Sequence, residues 1–301
     1  MSKRIVVLMG GRSIEREVSL VSGAAVADAL VERGHDVTAV DVGSGICEIL
    51  RDAKPDVVFN ALHGRFGEDG CIQGLLETLE IPYTHSGVLA SAMAMDKPTA
   101  LALFRVAGIQ CPEGSVARRD QVQAGQVMEP PYVLKPTNEG SSVGVVMVDK
   151  GNPFESQPWG YGDQVLIERF IPGRELSVAV MGGEALGVIE VKPNDGFYDY
   201  EAKYADGGSE HVAPAQVPST VYDACMDAAV VAHNGLGCRG ITRSDFRYDD
   251  AQGGVAGIYL LEINTQPGMT RTSLVPEIAA DKGISFGALV EWMVEDAGCE
   301  R

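Results

Sequence analysis

The chain lacks the features of membrane, secreted or nucleic-acid-binding proteins. No apolar stretch approaches the ~20 residues of a membrane-spanning helix. The apolar run after the first four residues is too short for a signal peptide. Lysine and arginine number 24 against 42 acidic residues and form no cluster. We therefore expect a cytoplasmic protein with no membrane or nucleic-acid partner.

Several common site motifs are also absent. The six cysteines form no C-x-x-C pair and match no zinc spacing, which favours free thiols in a reducing compartment. Only Gly10 and Gly11 stand at the first turn, so the dinucleotide fingerprint G-x-G-x-x-G is missing. No G-x-x-x-x-G-K-[ST] loop occurs either, which excludes the P-loop class.

Short apolar runs alternate with helical patterns in the first hundred residues. Strands are predicted at 5–9, 37–40 and 57–59. One helix is predicted from an N-cap at Ser13 to about Arg33, and another over about 71–80. This alternation indicates an α/β fold with a parallel, Rossmann-like sheet at the N-terminus.

Hairpin-like strand pairs follow a helix predicted over 96–107 and indicate an antiparallel sheet. The remaining predicted elements are strands at 132–135, 143–148, 164–170, 175–181, 185–191, 241–248 and 255–263, and helices over 220–236 and 285–294. The polar stretch 192–217 carries no pattern of its own, so we expect a lid or binding loop there.

The most informative segment runs from Leu260 to Thr270, at the end of an apolar run that begins at Ile258. Its apolar strand ends in Glu262 and Asn264, and residues two apart on a strand share one face. Gly268 then lies in a Pro-Gly turn that exposes backbone N–H groups. This combination predicts Mg²⁺ beside a phosphate. The alternative is an ordinary strand that ends in a polar turn.

Arg243 and Asp245 have the same two-residue spacing on the preceding strand. If the two strands pair, three oxygen ligands and one guanidinium meet on one face, as at a Mg²⁺ site with an adjacent cation. The alternative is an exposed face with ordinary cross-strand ion pairs.

Charged residues elsewhere suggest a nucleotide site. Lys135 ends an apolar strand before a Gly/Ser loop and is placed like a phosphate-binding lysine, as Lys97 also could be. Taken alone, either lysine is better explained as a solvated surface residue. Glu168 and Glu175 flank an apolar linker, 170–173, that could lie against an adenine. The alternative is that Glu168 and Glu175 are ordinary charged residues of a hairpin.

Spacing cannot bring the remaining candidates together. Glu15 follows the first Gly-rich turn, where open α/β sheets bind ligands. His63 lies in a Gly-rich loop after a strand, where a structural role is as common as a functional one. Ser141, Tyr204 and Ser273 lie in separate polar segments.

The ordered motifs resemble the D-alanine–D-alanine ligase family of the ATP-grasp superfamily. They run through nearly the whole chain and comprise 10–20 (GGRSIEREVSL), 62–64 (LHG), 67–70 (GEDG), 135–136 (KP), 139–144 (EGSSVG), 198–204 (YDYEAKY), 243–245 (RSD), 262–264 (EIN), 267–270 (PGMT) and 273–276 (SLVP).

The resemblance implies an ATP-grasp fold with three parts. These are a Rossmann-like domain at 1–94, a central subdomain at 95–180, and a C-terminal subdomain at 181–301 that contains the lid loop 192–217. It also implies that ATP drives the joining of two D-alanines through an acyl phosphate, for peptidoglycan synthesis. A homodimer is expected on the same ground.

The resemblance further assigns roles to residues. Mg²⁺, as two ions that Mn²⁺ could replace, is expected on Asp245, Glu262 and Asn264. ATP is expected to contact Lys97, Lys135, Ser141, Glu168, Arg169, Ile171, Glu175 and Lys203. Substrate is expected at Glu15, His63, Arg243, Gly268, Ser273 and Leu274. The catalytic set is expected to comprise Glu15, Ser141, Tyr204, Arg243, Gly268 and Ser273, with Ser141 and Tyr204 linked to Glu15 under a closed lid.

Three positions depart from the family or vary within it. Arg169 stands where a lysine is common, and a backbone contact with adenine would survive that change. Gln266 and Arg271 stand where members vary, so neither is given a role. The pair Lys203-Tyr204 is missing from members that make an ester with D-lactate, so its presence favours the dipeptide product.

Two other classes of function compete with the ligase. A nucleotide-dependent oxidoreductase would use the N-terminal sheet, but the missing third glycine and the metal-ligand strands argue against it. A non-catalytic nucleotide-binding module should have lost one of Lys135, Arg243, Glu262 or Asn264, and all four are present.

Overall fold

The structure is a computed structural model that describes residues 1–125, 127–140, 144–149, 162–193 and 208–299. Its strands form a three-stranded, a four-stranded and a five-stranded sheet. Within the described ranges, no helix combines the length and apolar character needed to cross a membrane.

The N-terminal sheet is parallel, as predicted. Its order is β2-β1-β3, and the central strand is buried between its neighbours because it is almost entirely apolar. The elements of this region are β1 (Arg4–Met9), α1 (Arg16–Glu32), β2 (Asp36–Asp41), α2 (Ile46–Ala53), β3 (Val57–Asn60), α3 (Cys71–Thr78) and α4 (Val88–Met95). Helices α2 and α4 were not predicted.

The predicted N-cap at Ser13 is wrong, because helix α1 begins at Arg16. Ser13 instead forms a preceding turn, in which its Oγ accepts from the N–H of Glu15 at 3.1 Å. The Arg16 guanidinium donates to Asp41 at 2.6 Å, which ties this turn to the end of β2. Glu15 is thereby held at the carboxyl ends of the parallel strands.

The second region contains the four-stranded antiparallel sheet, in the order β4-β7-β5-β6. Its first helix begins at Lys97 because the Asp96 side chain accepts from the N–H of Thr99. The elements are α5 (Lys97–Val106), β4 (Gly114–Arg118), α6 (Arg119–Gln123), β5 (Tyr132–Lys135), β6 (Val146–Val148) and β7 (Gln164–Arg169). Strand β4 and helix α6 were not predicted.

The third region contains the five-stranded antiparallel sheet, in the order β10-β9-β8-β11-β12. Its elements are β8 (Arg174–Met181), β9 (Glu184–Pro193), β10 (Ser209–Val212), α7 (Ser219–Gly235), β11 (Ile241–Tyr248), a 3₁₀ turn (Gly254–Gly257), β12 (Ile258–Asn264), α8 (Leu274–Asp281) and α9 (Phe286–Asp296). Helix α8 was not predicted.

Two boundaries in this region differ from prediction. The polar stretch 192–217 is not one loop, because β9 reaches Pro193 and pairs antiparallel with β10. Residues 194–207, the middle of that stretch, lie outside the described residues. The last strand begins at Ile258, because the glycines before it form the 3₁₀ turn. The division at residue 180 stays a prediction, and it falls inside β8.

The first and third regions share one apolar core. Phe59 of β3 and Leu30 of α1 are fully buried in the same cluster as Ile189 of β9, Ile241 of β11 and Leu289 of α9. Because this core is continuous, the end of β3 is held at a set distance from the end of β12. The site lies between those two ends.

Candidate active site

Pairing of β11 with β12 brings the predicted metal ligands together. Arg243 is opposite Asn264, and Asp245 is opposite Glu262. All four residues line one cavity of about 750 Å³. The structure therefore supports the cross-strand arrangement that the spacing predicted, and not an exposed sheet face.

Hydrogen bonds order the charges on this face. The Arg243 guanidinium donates to both carboxylate oxygens of Asp245, each at 2.8 Å. Ser177 of β8 donates to the same carboxylate at 2.7 Å. The Lys97 ammonium lies 3.4 Å from the carboxylate of Glu262. Arg243 is thus paired with Asp245, and Lys97 with Glu262, on this side of the cavity.

Lys135 is not a solvated surface residue. Its side chain is 13% exposed and its ammonium lies 2.7 Å from the carboxylate of Glu168, which is 2% exposed. Burial is the largest single effect on the pKa of Lys135 and would lower it, but the charge and hydrogen bond of Glu168, together with the charges of Glu262 and Glu175, raise that pKa above its ordinary value. Lys135 therefore stays charged inside the protein.

A second, narrow cavity of about 80 Å³ adjoins the large one and shares five lining residues with it, among them Lys97 and Glu262. Apolar side chains and charged ends line it together, which suits a flat base with polar edges. Of the predicted ATP contacts, it is lined by Lys97, Lys135, Glu168, Arg169, Ile171 and Glu175.

Sequence reasoning missed Arg247, which organises this narrow cavity. Its guanidinium donates to the carbonyls of Ile171 at 3.1 Å and Gly173 at 2.8 Å. It also lies 3.6 Å from Glu175, and burial lowers its pKa while the Glu175 charge opposes that change. The i, i+2 spacing from Asp245 was the available signal, because it places Arg247 on the same face of β11.

The opposite end of the large cavity holds Glu15 and His63. Glu15 is 4% exposed. A Cβ on Gly64, whose φ is +68°, would lie 2.5 Å from the Glu15 carboxylate, so the glycine is required there. His63 Nδ1 lies 3.0 Å from Glu68, which had been given no role, and its Nε2 lies 3.3 Å from Ser22 Oγ.

Gly268 and Ser273 form the third side of the cavity. The Ser273 hydroxyl accepts from the N–H of Thr270 at 3.0 Å and closes the turn between them. Ser273 is the N-cap of α8, and Leu274 is the first residue of that helix. A helix start exposes backbone N–H groups that suit a carboxylate. His211 and Glu277, 2.8 Å apart, line the cavity beside it.

The large cavity unites most of the predicted site. It is lined by Glu15, His63, Lys97, Glu175, Arg243, Asp245, Glu262, Asn264, Gly268, Ser273 and Leu274. The predicted positions of Ser141, Lys203 and Tyr204 lie outside the described residues. Arg271, given no role from the sequence, has its guanidinium carbon 5.9 Å from the centre of the Phe286 ring.

Two family models match the chain. The model described as D-ala D-ala ligase C-terminus matches residues 104–295, and the one described as D-ala D-ala ligase N-terminus matches residues 46–86.

Full-length relatives carry the same description. A D-alanine--D-alanine ligase of Methylobacterium radiotolerans is 56% identical over 307 residues and 100% of both chains. One from Parvibaculum lavamentivorans is 55% identical over 305 residues, covering 100% of this chain and 99% of its own.

Solved structures share the fold, which is of the ATP-grasp type. The D-alanine--D-alanine ligase of Bacillus anthracis complexed with ATP has a TM-score of 0.80 at 30% identity, over 98% of this chain and 97% of that chain. The VanG D-Ala:D-Ser ligase of Enterococcus faecalis has a TM-score of 0.78 at 28% identity, over 98% of this chain and 99% of that chain. With a family model over more than half its length and relatives at 56% identity end to end, the chain belongs to the D-alanine–D-alanine ligase family.

Proposed function

We propose that this chain uses ATP to join two D-alanines into D-alanyl-D-alanine for peptidoglycan synthesis. One observation carries the proposal. A single cavity is lined by three kinds of group. The Glu15 carboxylate, at one end, suits an ammonium, and the start of α8 at Ser273, at the other end, suits a carboxylate. The charged residues of strands β11 and β12 lie between them. The relatives named D-alanine--D-alanine ligase and the ATP complex of one solved structure support it.

ATP occupies the narrow cavity and extends into the large one. The adenine lies against Ile171 and the Arg169 backbone, with Glu168 at its polar edge. Glu175 accepts from the ribose, and Lys97 and Lys135 hold phosphate oxygens as point charges. Lys203 and Ser141 are proposed to complete the phosphate contacts.

The donor set on β11 and β12 fits Mg²⁺. Among the described residues, no group of three His, Cys, Asp or Glu side chains is arranged to hold a metal. Mg²⁺ in phosphate sites needs only one or two protein carboxylates besides phosphate oxygens. Asp245, Glu262 and Asn264 would supply two carboxylates and one amide oxygen. The ions, two in number and replaceable by Mn²⁺, would neutralise phosphate charge.

The first half-reaction begins with the donor D-alanine. Glu15 pairs with its ammonium, with His63 beside it, and directs its carboxylate toward the γ-phosphate. Arg243 offsets the negative charge that grows on the transferring group. A carboxylate oxygen bonds to the γ-phosphorus as the bond to the β,γ-bridging oxygen breaks, so ADP leaves and the product is an acyl phosphate, which water would hydrolyse. Ser141 and Tyr204 are proposed to link to Glu15 and close the site against water.

The second half-reaction uses the other end of the cavity. Ser273 and the N–H of Leu274 hold the carboxylate of the acceptor D-alanine, so its amine faces the acyl carbonyl. Arg243 and the N–H of Gly268 stabilise the tetrahedral oxyanion before phosphate leaves. Lys203 and Tyr204 favour a D-amino acid acceptor over D-lactate.

The test is product formation with defined substrates. We expect phosphate release only when ATP, Mg²⁺ and D-alanine are all present, with the dipeptide seen by chromatography. Assays with D-serine and D-lactate determine acceptor choice. ADP formation without dipeptide would contradict the proposal. Cytoplasmic location and a homodimer remain predictions, and size-exclusion chromatography with light scattering tests the latter.

Glu262→Gln tests the metal assignment. The amide keeps the shape but loses the charge that faces Lys97 and the metal, so we expect turnover to fall by roughly 100-fold or more, as when a transition-state electrostatic contact is removed. Glu184→Gln, at the exposed start of β9, is the matched control. Wild-type turnover in the Glu262 variant would refute the assignment.

A further inference from the structure

A buried amide network joins the turn after β12 to the loop after β3. Gln266 is 1% exposed, and its Oε1 accepts from Asn60 Nδ2 at 2.6 Å. Its Nε2 donates to the carbonyl of Leu62. Its backbone N–H donates to Asn264 Oδ1 at 2.8 Å. One residue therefore connects segments that are more than 200 positions apart in the chain.

Each end of this network reaches a part of the cavity wall. Leu62 directly precedes His63, whose ring is held between Glu68 and Ser22. Asn60 also donates to the carbonyl of Gly67 at 3.0 Å, which fixes the far side of the same loop.

The other end of the network belongs to the strand-and-turn segment. Asn264 ends β12, Thr265 lines the cavity, and Gly268 follows in the turn. Gln266 itself is absent from the cavity lining. Gln266 therefore contacts the residues that form the cavity walls but does not itself line the cavity.

We propose that Gln266 is a positioning residue that sets the distance between the donor end of the site and its reaction centre. The inference rests on the proposed function, in which Glu15 and His63 hold the donor while Arg243 and Gly268 face the reacting atoms. Reaction rates depend steeply on such distances, because a 1 Å misplacement can cost about 100-fold. The narrow cavity contains no member of this network, and the backbone N–H that holds Asn264 Oδ1 is retained in any Gln266 side-chain variant, so we expect the KM for ATP to be unaffected by loss of the side-chain amide.

The chemistry of the side chain explains why an amide is present. A buried carbonyl and a buried amide donor face the same position, and glutamine supplies both a donor and an acceptor at the required length. Methionine has a similar length but offers neither strong group. It would leave the Leu62 carbonyl without this donor, and the two walls would lose their direct connection.

The experiment compares Gln266→Met with Gln73→Met. Gln73 is also 1% exposed and its Nε2 donates to the Gly67 carbonyl at 2.8 Å, but that carbonyl keeps Asn60 as a second donor. ADP release is measured while ATP and D-alanine are varied separately, and melting temperatures are recorded. We expect kcat/KM for D-alanine to fall by about 10- to 100-fold in Gln266→Met, with the KM for ATP unchanged. Gln73→Met should melt earlier and keep both constants.

The outcomes separate a positioning role from a structural one. Gln266→Met that melts earlier but retains wild-type kcat/KM for D-alanine overturns the inference, as does an equal rise in the KM for ATP. If that variant does not fold, Gln266→Asn is judged by the same constants, since its shorter amide cannot reach both partners. Wild-type protein without D-alanine-dependent ADP release would instead contradict the proposed function, and the inference with it.

Discussion

At the scale of single residues, the pair Lys135–Glu168 shows how a buried charge is kept in place. Both side chains are largely out of water, and each neutralises the other. A buried pair contributes little net stability compared with apolar packing, but loss of one partner leaves the other charge uncompensated. Lys135 is thereby kept charged where it is proposed to hold phosphate oxygens.

Glu168→Gln tests this dependence. Removing the carboxylate leaves the Lys135 ammonium buried without its counter-charge, so we expect the free energy of unfolding to fall by about 3–5 kcal/mol without ATP. Urea denaturation measures it. Asp120→Asn, which breaks the exposed pair with Arg118, is the control and should change stability little. Equal effects of the two substitutions would be inconsistent with a buried, dependent charge.

At the scale of elements, the cap at the start of α5 also positions a lysine of the proposed phosphate site. Asp96 caps this helix through the N–H of Thr99 at 3.0 Å, and Lys97 is its first residue. Fraying of the first turn would therefore move a lysine that is proposed to hold phosphate. Helix α9 has a similar cap, Ser285 to the N–H of Ala288 at 3.3 Å, but it lies outside both cavities.

The two caps form a matched experiment. Asp96→Ala and Ser285→Ala should each lower the free energy of unfolding by about 1 kcal/mol, because each removes a side-chain cap. Only Asp96→Ala should also raise the KM for ATP, since only that cap precedes a lysine that is proposed to hold phosphate. Steady-state kinetics and thermal melts measure both effects. A similar KM in the two variants would speak against a role for the cap in ATP binding.

At the scale of the whole molecule, the N-terminal sheet and the third region meet around a buried histidine. The His85 ring packs edge-on against Phe59, and a Cβ on Gly240, just before β11, would lie only 3.1 Å from the Cα of His85. Burial, with a smaller effect of the His63 charge, lowers the pKa of His85 to about 3. The unfolded chain takes up this proton near pH 6.5, whereas the folded chain does not.

Stability should therefore decline as the solution is acidified. Between about pH 6.5 and pH 3 the unfolded state binds one more proton at His85, which gives a slope of up to about 1.4 kcal/mol per pH unit. His85→Asn removes that proton and tolerates the backbone φ of +70°. Urea midpoints at pH 7 and pH 5 should differ less in the variant than in wild type. Identical pH slopes would contradict a neutral, buried His85.

The predicted elements illustrate where local pattern suffices. The apolar strand β1 and the alternation of strands and helices around it indicated a parallel sheet, because burial on both faces demands continuous apolar runs. Helix α8 was missed because it is only eight residues long and its first turn contains Pro276. Strand β10 was missed because its polar residues carry no alternation, and its pairing with β9 supplies the order.

The site residues likewise divide into features that local spacing predicted and contacts that only the folded chain revealed. Two-residue spacing on a strand placed Glu262 with Asn264, and Arg243 with Asp245, because side-chain alternation is a local property of extended backbone. Such spacing carries no information about which strands pair, so convergence of the four residues depended on the register of β11 against β12. The roles expected for single side chains came from the order of motifs along the chain, and local geometry alone gave no reason to join Glu15 to Gly268.

Gln266 shows most clearly what the sequence alone does not predict. It follows the strand that carries the proposed metal ligands and precedes a turn, and nothing in the neighbouring sequence distinguishes it from a surface residue. Its partners, Asn60 and Leu62, are some 200 positions away and become neighbours only when the N-terminal sheet packs on the third region. Backbone periodicity and turn chemistry act over a few residues, so the sequence alone was enough to predict them. Hydrogen bonds that close a site across two sheets form through long-range packing, and the folded structure was needed to reveal them.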